Sequence, residues 1–124
     1  MLLLSLDTNS ITFEDFSGIQ DVEKENAINL TVNSSLPYKI NAYLASDIKN
    51  SDGTNTMDKE ILNIRANGEV NYNTFTDTTT PIILLDDQQA DNDVTHGIDL
   101  MLKGNLAHEK DIYKTTLKFE VEQK

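Results

Sequence analysis

The chain has no cysteine, no tryptophan and only two histidines, His96 and His108. Lacking cysteine, it can form no disulfide, no thiol nucleophile and no Cys-based zinc or iron–sulfur centre. Lacking tryptophan, it would have to build any sugar-stacking surface from Tyr38, Tyr43, Tyr72 or Tyr113, of which Tyr38 and Tyr113 suit the core or its rim better. Basic residues are also few. There are 10 Lys and Arg against 21 Asp and Glu, a net charge of -11. A surface of that sign repels phosphate, which argues against nucleic acids and anionic membranes as partners. No apolar run approaches the ~20 residues of a membrane-spanning helix. Met1 to Leu6 is too short for a signal-peptide core and has neither a basic flank nor a cleavage site. There is no Gly-rich phosphate loop, nucleophile elbow or zinc signature. These absences predict a non-enzymatic protein with no catalytic residues and no cofactor.

Alternation is what the sequence does have. From Asp111 to the end, Tyr113, Thr115, Leu117, Phe119 and Val121 occupy every second position, with Lys114, Thr116, Lys118, Glu120 and Glu122 between them. Successive side chains of a strand point to opposite faces, so this spacing makes a half-buried antiparallel strand. Ile28, Leu30 and Val32 repeat the pattern, as do Tyr38, Ile40 and Ala42, and Ile98, Leu100 and Leu102. Shorter runs at Leu2–Leu6, Ile11–Phe13, Ile61–Arg65, Val70–Phe75 and Ile82–Leu85 complete a set of seven to nine strands. Asp21–Asn26, Ser46–Asp58 and Asp86–Asp93 read as polar or acidic loops. No helical periodicity, repeat or linker breaks the pattern. The expectation is all-β: one antiparallel, immunoglobulin-like β-sandwich over residues 1–124, part of a longer exported precursor.

Three groups of residues invite a function. His96 and His108 lie far apart in sequence and read as ordinary polar residues. Asp86, Asp87, Asp91 and Asp93 offer the hard oxygen ligands calcium prefers, and in a sandwich they would pool with Asp47, Asp52 or Asp58 at one end. They lack the glycine and terminal Glu of an EF-hand loop. Terminal apolar strands are the third group, because an exposed edge is a template for pairing. Leu2, Leu3, Leu4, Tyr113, Leu117, Phe119 and Val121 are the candidates for exchange with a protein partner or a second copy.

The run Asn26–Leu44, with its Ser34-Ser-Leu-Pro-Tyr38 turn, and the closing Asp111–Val121 strand of Tyr-x-x-Thr-Leu-x-Phe type resemble spore coat protein U-like and pilin-like domains. They also resemble secreted β-sandwich domains of Firmicutes, a source that the Asn, Thr, Lys and Ile usage suits. The resemblance implies an immunoglobulin-like sandwich, export to the cell or spore surface, and a structural part in coats, fimbriae or adhesion. A module binding glycans or calcium through its acidic loops is the alternative.

Overall fold

The longest alternating runs become the longest strands. In a computed structural model covering residues 2–16, 21–50, 52–53, 56, 61–104 and 111–123, β3 (Val22–Ser34), β9 (Asp91–Leu102) and β10 (Asp111–Gln123) run the length of the molecule. Around them lie β1 (Leu2–Leu6), β2 (Ser10–Phe16), β4 (Tyr38–Leu44), β5 (Lys49–Asn50), β6 (Leu62–Ala66), β7 (Asn73–Thr74) and β8 (Ile82–Gln88). Two antiparallel sheets result. The first has the order β1-β3-β9-β6-β7, the second β2-β10-β4-β8 with β5 also on β10. The all-β sandwich expected from alternation is the fold, with two very short strands, β5 and β7, raising the described strands to ten. Among the described residues no helix is long and apolar enough to cross a membrane.

The core lies between the sheets. Ile28, Leu30 and Val32 of β3 and Ile98, Leu100 and Leu102 of β9 face Tyr38, Ile40, Ala42 and Leu44 of β4 and Tyr113 and Leu117 of β10, all at most 1% exposed. Burying one such side chain contributes about 1.5–3 kcal/mol, enough to fix which face of each strand turns inward.

Several local expectations change. Val22 to Asn26, expected as a loop, begins β3, because Val22, Glu23 and Lys24 find partners at Leu102, Met101 and Leu100. The register then slips before Ile28, leaving a bulge that holds Asn26 at φ 51°. Most of the acidic stretch Asp86–Asp93 is strand: β8 runs to Gln88 and β9 starts at Asp91. Its charges do not prevent pairing, since Gln88 lies beside Tyr38 and Asp91 beside Ser34. Of Val70–Phe75 only Asn73–Thr74 is strand, since only those residues pair with β6. The Ser34–Tyr38 turn, whose shortness predicts neighbouring strands on either side of it, instead joins strands of different sheets: β3 pairs with β9 and β1, β4 with β10 and β8. Ser34 Oγ holds this arch by donating to Leu36 O (2.6 Å).

Candidate functional site

The two flanks of the sandwich are built differently. On one flank the N-terminal strands cross between the sheets, β1 pairing with β3 and β2 with β10. The crossing is tied down on both sides. Asp7 accepts from the Asn29 N–H (2.9 Å) and from its amide Nδ2 (3.0 Å), and the Leu117 N–H donates to Asn9 O (2.8 Å). On the other flank β7 ends the first sheet and β8 ends the second, and a groove runs between them. It has two adjoining concavities of about 520 and 490 Å3 that share Ala66 and Glu69. Arg65, Asn71, Asn73 and Asp86 supply polar groups to the first, beneath a lip of Val70 (85% exposed) and Ile83 (51% exposed). Asn67, Gln88, Thr95 and His96 supply them to the second.

A buried carboxylate sets the wall on the β6 side. Asp99, on the outward face of β9, is fully buried. It accepts from the Arg65 Nε (2.8 Å), the Asn67 amide (3.1 and 3.3 Å) and the Asn26 backbone N–H in the β3 bulge (2.9 Å). Burial pushes the Asp99 carboxyl up, but the Asn26 N–H, the Arg65 guanidinium and the Asn67 amide outweigh it and hold the pKa below the ordinary carboxylate range. Arg65 also stacks on Tyr72, 4.4 Å from the ring centre, and Tyr72 donates to Glu23 Oε2 (2.8 Å). Burial, reinforced by that hydrogen bond, raises the Tyr72 hydroxyl. The Arg65 guanidinium is therefore held between Asp99 and the Tyr72 ring, which is the preorganisation a binding surface needs.

His96 closes the other end. Its ring faces inward from β9, and Nε2 lies 2.7 Å from the hydroxyl of Tyr38 on the opposite sheet. Burial pushes the His96 pKa down, so the ring is neutral near pH 7. His96 is thus a tie between the sheets, where the sequence suggested an ordinary polar residue.

The other expected site residues are scattered. Asp86 lines the groove. Asp87 belongs to β8 and Asp91 and Asp93 to β9, but their side chains fall outside the described residues, as do His108 and Asp58. The stretches proposed to pool their acids leave opposite ends of β4: Ser46, which accepts from Thr115, follows Leu44, while Gln88 pairs with Tyr38. Seven residues of strand, about 20 Å, separate them. Among the described residues no group of three or more His, Asp or Glu is arranged to hold a metal.

Of the strand-exchange candidates, Leu2, Leu3 and Leu4 do lie at a sheet edge, with Leu3 56% exposed. Tyr113 does not: there strand β10 has β2 on one side and β5 on the other. Leu117 lies beside Leu44 of β4 and donates its N–H to Asn9 O, while Phe119 and Val121 have β4 as their one partner strand among the described residues. The side chains of Tyr113, Leu117 and Phe119 are nonetheless almost completely buried in the core. Of the four tyrosines, Tyr38 and Tyr113 are core residues, while Tyr43 and Tyr72 are half-buried on outer faces.

Asp99, Arg65 and Asn67 were not singled out by sequence. Asp99 sits at a solvent-side position of an alternating strand, where a carboxylate looks unremarkable. The available signals were that Arg65 is the chain's one arginine and that Asn67-Gly68 marks a tight turn.

No family model matches the chain, and no curated protein matches it. A solved structure does: a family 123 glycoside hydrolase from Clostridium perfringens, studied for glycolipid glycan hydrolysis, with a TM-score of 0.54 and 10% sequence identity. The likeness covers 98% of this chain and 25% of that one, so the chain spans about a quarter of that protein's length. At this identity it speaks for the fold alone.

Proposed function

We propose that the chain is a non-catalytic β-sandwich module of a longer exported protein, and that it holds a glycan segment in the groove between β7 and β8. The groove itself carries this reading. Amides, carboxylates and one guanidinium line it from both sheets, with the guanidinium fixed by Asp99 and Tyr72. Planar amide and carboxylate groups pair with adjacent sugar hydroxyls, and the Val70–Ile83 lip offers apolar surface to a sugar face. That a sandwich of this shape lies within a carbohydrate-active protein supports the choice of ligand. The non-catalytic part of the reading is supported by the sequence, which carries no phosphate loop, nucleophile elbow or zinc signature.

Titration calorimetry with the oligosaccharide head groups of glycolipids tests it. An open polar groove predicts a Kd of about 0.1–1 mM, or roughly -5.5 to -4 kcal/mol. Asn71→Ala and Asn73→Ala should weaken binding at least threefold. No heat with any oligosaccharide, or full binding by both variants, sinks the proposal.

A second reading rests on the outer edge of β1, where Leu3 and Leu6 are 56% and 38% exposed. An unpaired edge with exposed leucines can add a strand from a partner or a second copy, which is the route to a coat or fimbria-like assembly at a cell surface. Light scattering across a hundredfold concentration range decides this: a constant monomer mass removes self-assembly through that edge.

A further inference from the structure

Asn67-Gly68 is the single Asn-Gly pair in the sequence. A glycine amide nitrogen is the least hindered nucleophile that can follow an asparagine, so this is where the chain is chemically most open to deamidation. The pair forms the exposed tip between β6 and β7, closed by the Glu69 N–H donating to Ala66 O (3.0 Å), with Gly68 at φ +99°. Two further bonds restrain it. The Asn67 N–H donates to Gly97 O (2.9 Å), and the Asn67 side-chain amide donates to both oxygens of buried Asp99 (3.1 and 3.3 Å).

We propose that Asn67 is a spontaneous modification site, held back by the Asp99 carboxylate while the protein is folded, whose conversion irreversibly loosens the groove. The Gly68 amide nitrogen, deprotonated by hydroxide, attacks Asn67 Cγ. The Cγ–Nδ2 bond breaks and ammonia leaves, giving a five-membered succinimide. Water then opens that ring at either carbonyl, to aspartate or to isoaspartate. In the folded chain the amide is turned toward Asp99 and fixed there, while the turn bond fixes the backbone. Attack must break one or both.

The products cannot reuse the clasp. Aspartate at 67 places a second carboxylate where the amide donated, about 3 Å from a buried one, and like charges at that distance repel strongly away from water. Isoaspartate lengthens the backbone by a methylene and spoils the turn. In either case Asn67 and Gly68, which wall the second concavity, no longer hold it against β8. The amide at 67 is therefore a latch, and its age is written in the protein.

Peptide mapping by mass spectrometry tests this on the whole protein, kept folded or in concentrated urea in mildly alkaline buffer. Expected is a one-dalton gain at Asn67 that is at least tenfold slower in the folded protein. Equal rates overturn the protection. The second measurement is the melting temperature of Asn67→Asp, expected several degrees below wild type, with Asn71→Asp on the exposed continuation of the same turn close to wild type. If Asn67→Asp does not fold, aged wild type is separated by ion exchange and its deamidated fraction melted. A fraction or variant that melts with wild type overturns the latch.

Discussion

The outer faces of the two sheets solve the same problem in opposite ways. On the first sheet Asp99 is fully buried and every bond it can accept is supplied, by Arg65, Asn67 and the Asn26 N–H. On the second, the Asn41 side chain is 4% exposed and its amide nitrogen donates to Glu122 Oε1 at 3.2 Å, but its Oδ1 has no partner among the described residues. Around it the face is held by surface pairs, Lys39 to Glu122 at 3.3 Å, Lys118 to Glu120 at 3.2 Å, and the Tyr43 hydroxyl to Glu120 at 3.2 Å. The difference teaches where polar groups matter. A buried charge with all its partners becomes a keystone, because removing it strands each partner. A buried amide with an orphan oxygen is a cost the apolar core absorbs.

The largest way to break this contrast is Asp99→Ala. It leaves the Asn26 N–H and the Asn67 amide unpartnered and should lower stability by about 3 kcal/mol, read from urea midpoints. A loss below about 1 kcal/mol would mean the network is decorative. Gly97→Ala comes next. A Cβ at 97 would fall on the Asn26 side chain, so a loss of about 1–3 kcal/mol is expected, most of it recovered when Asn26→Gly is added. Asn26 suits that replacement because its φ of 51° is one that glycine adopts freely. No recovery in the double variant would place the strain elsewhere.

Acid sharpens the comparison further. The Asp99 pKa is lowered on folding, so the stability it lends is full above the unfolded value of 3.8 and is lost as pH falls through the folded value. His96 acts in the same direction at higher pH: its folded pKa is depressed, the unfolded chain binds the proton more readily, and stability declines below about 6.5. Melting curves should therefore fall in two stages, with His96→Gln removing the upper one. A single stage, unchanged in that variant, would contradict the buried setting of His96. Asn41→Leu should do least harm. It removes an orphan acceptor and should leave stability within about 1 kcal/mol of wild type, or raise it. Lys39→Ala should be smaller still, below about 0.5 kcal/mol, since its pair with half-exposed Glu122 is screened by water. A large loss at Lys39 would reverse the ranking of the two faces.

Much of the fold was readable from alternation. Ile28, Leu30 and Val32, or Ile98, Leu100 and Leu102, turn inward as their spacing says, because burial of one face of a strand leaves no second choice. The acidic stretch Asp86–Asp93 has the composition of a loop but is mostly strand, because Gln88 finds a partner in Tyr38 and Asp91 in Ser34. The groove was mostly hidden, since its residues come from β6, the turn after it, β8 and β9.

By itself, then, the sequence determined the class of fold, the inward face of each long strand and the absence of thiol chemistry. Those follow from local period and residue type. Tertiary structure decided the rest: that Tyr113 of β10 lies between β2 and β5, that the acidic stretches part to opposite ends of β4, and that Asp99 is buried on a face where alternation expects water. Such outcomes depend on which strand becomes whose neighbour, and alternation gives each strand two faces without naming its partner.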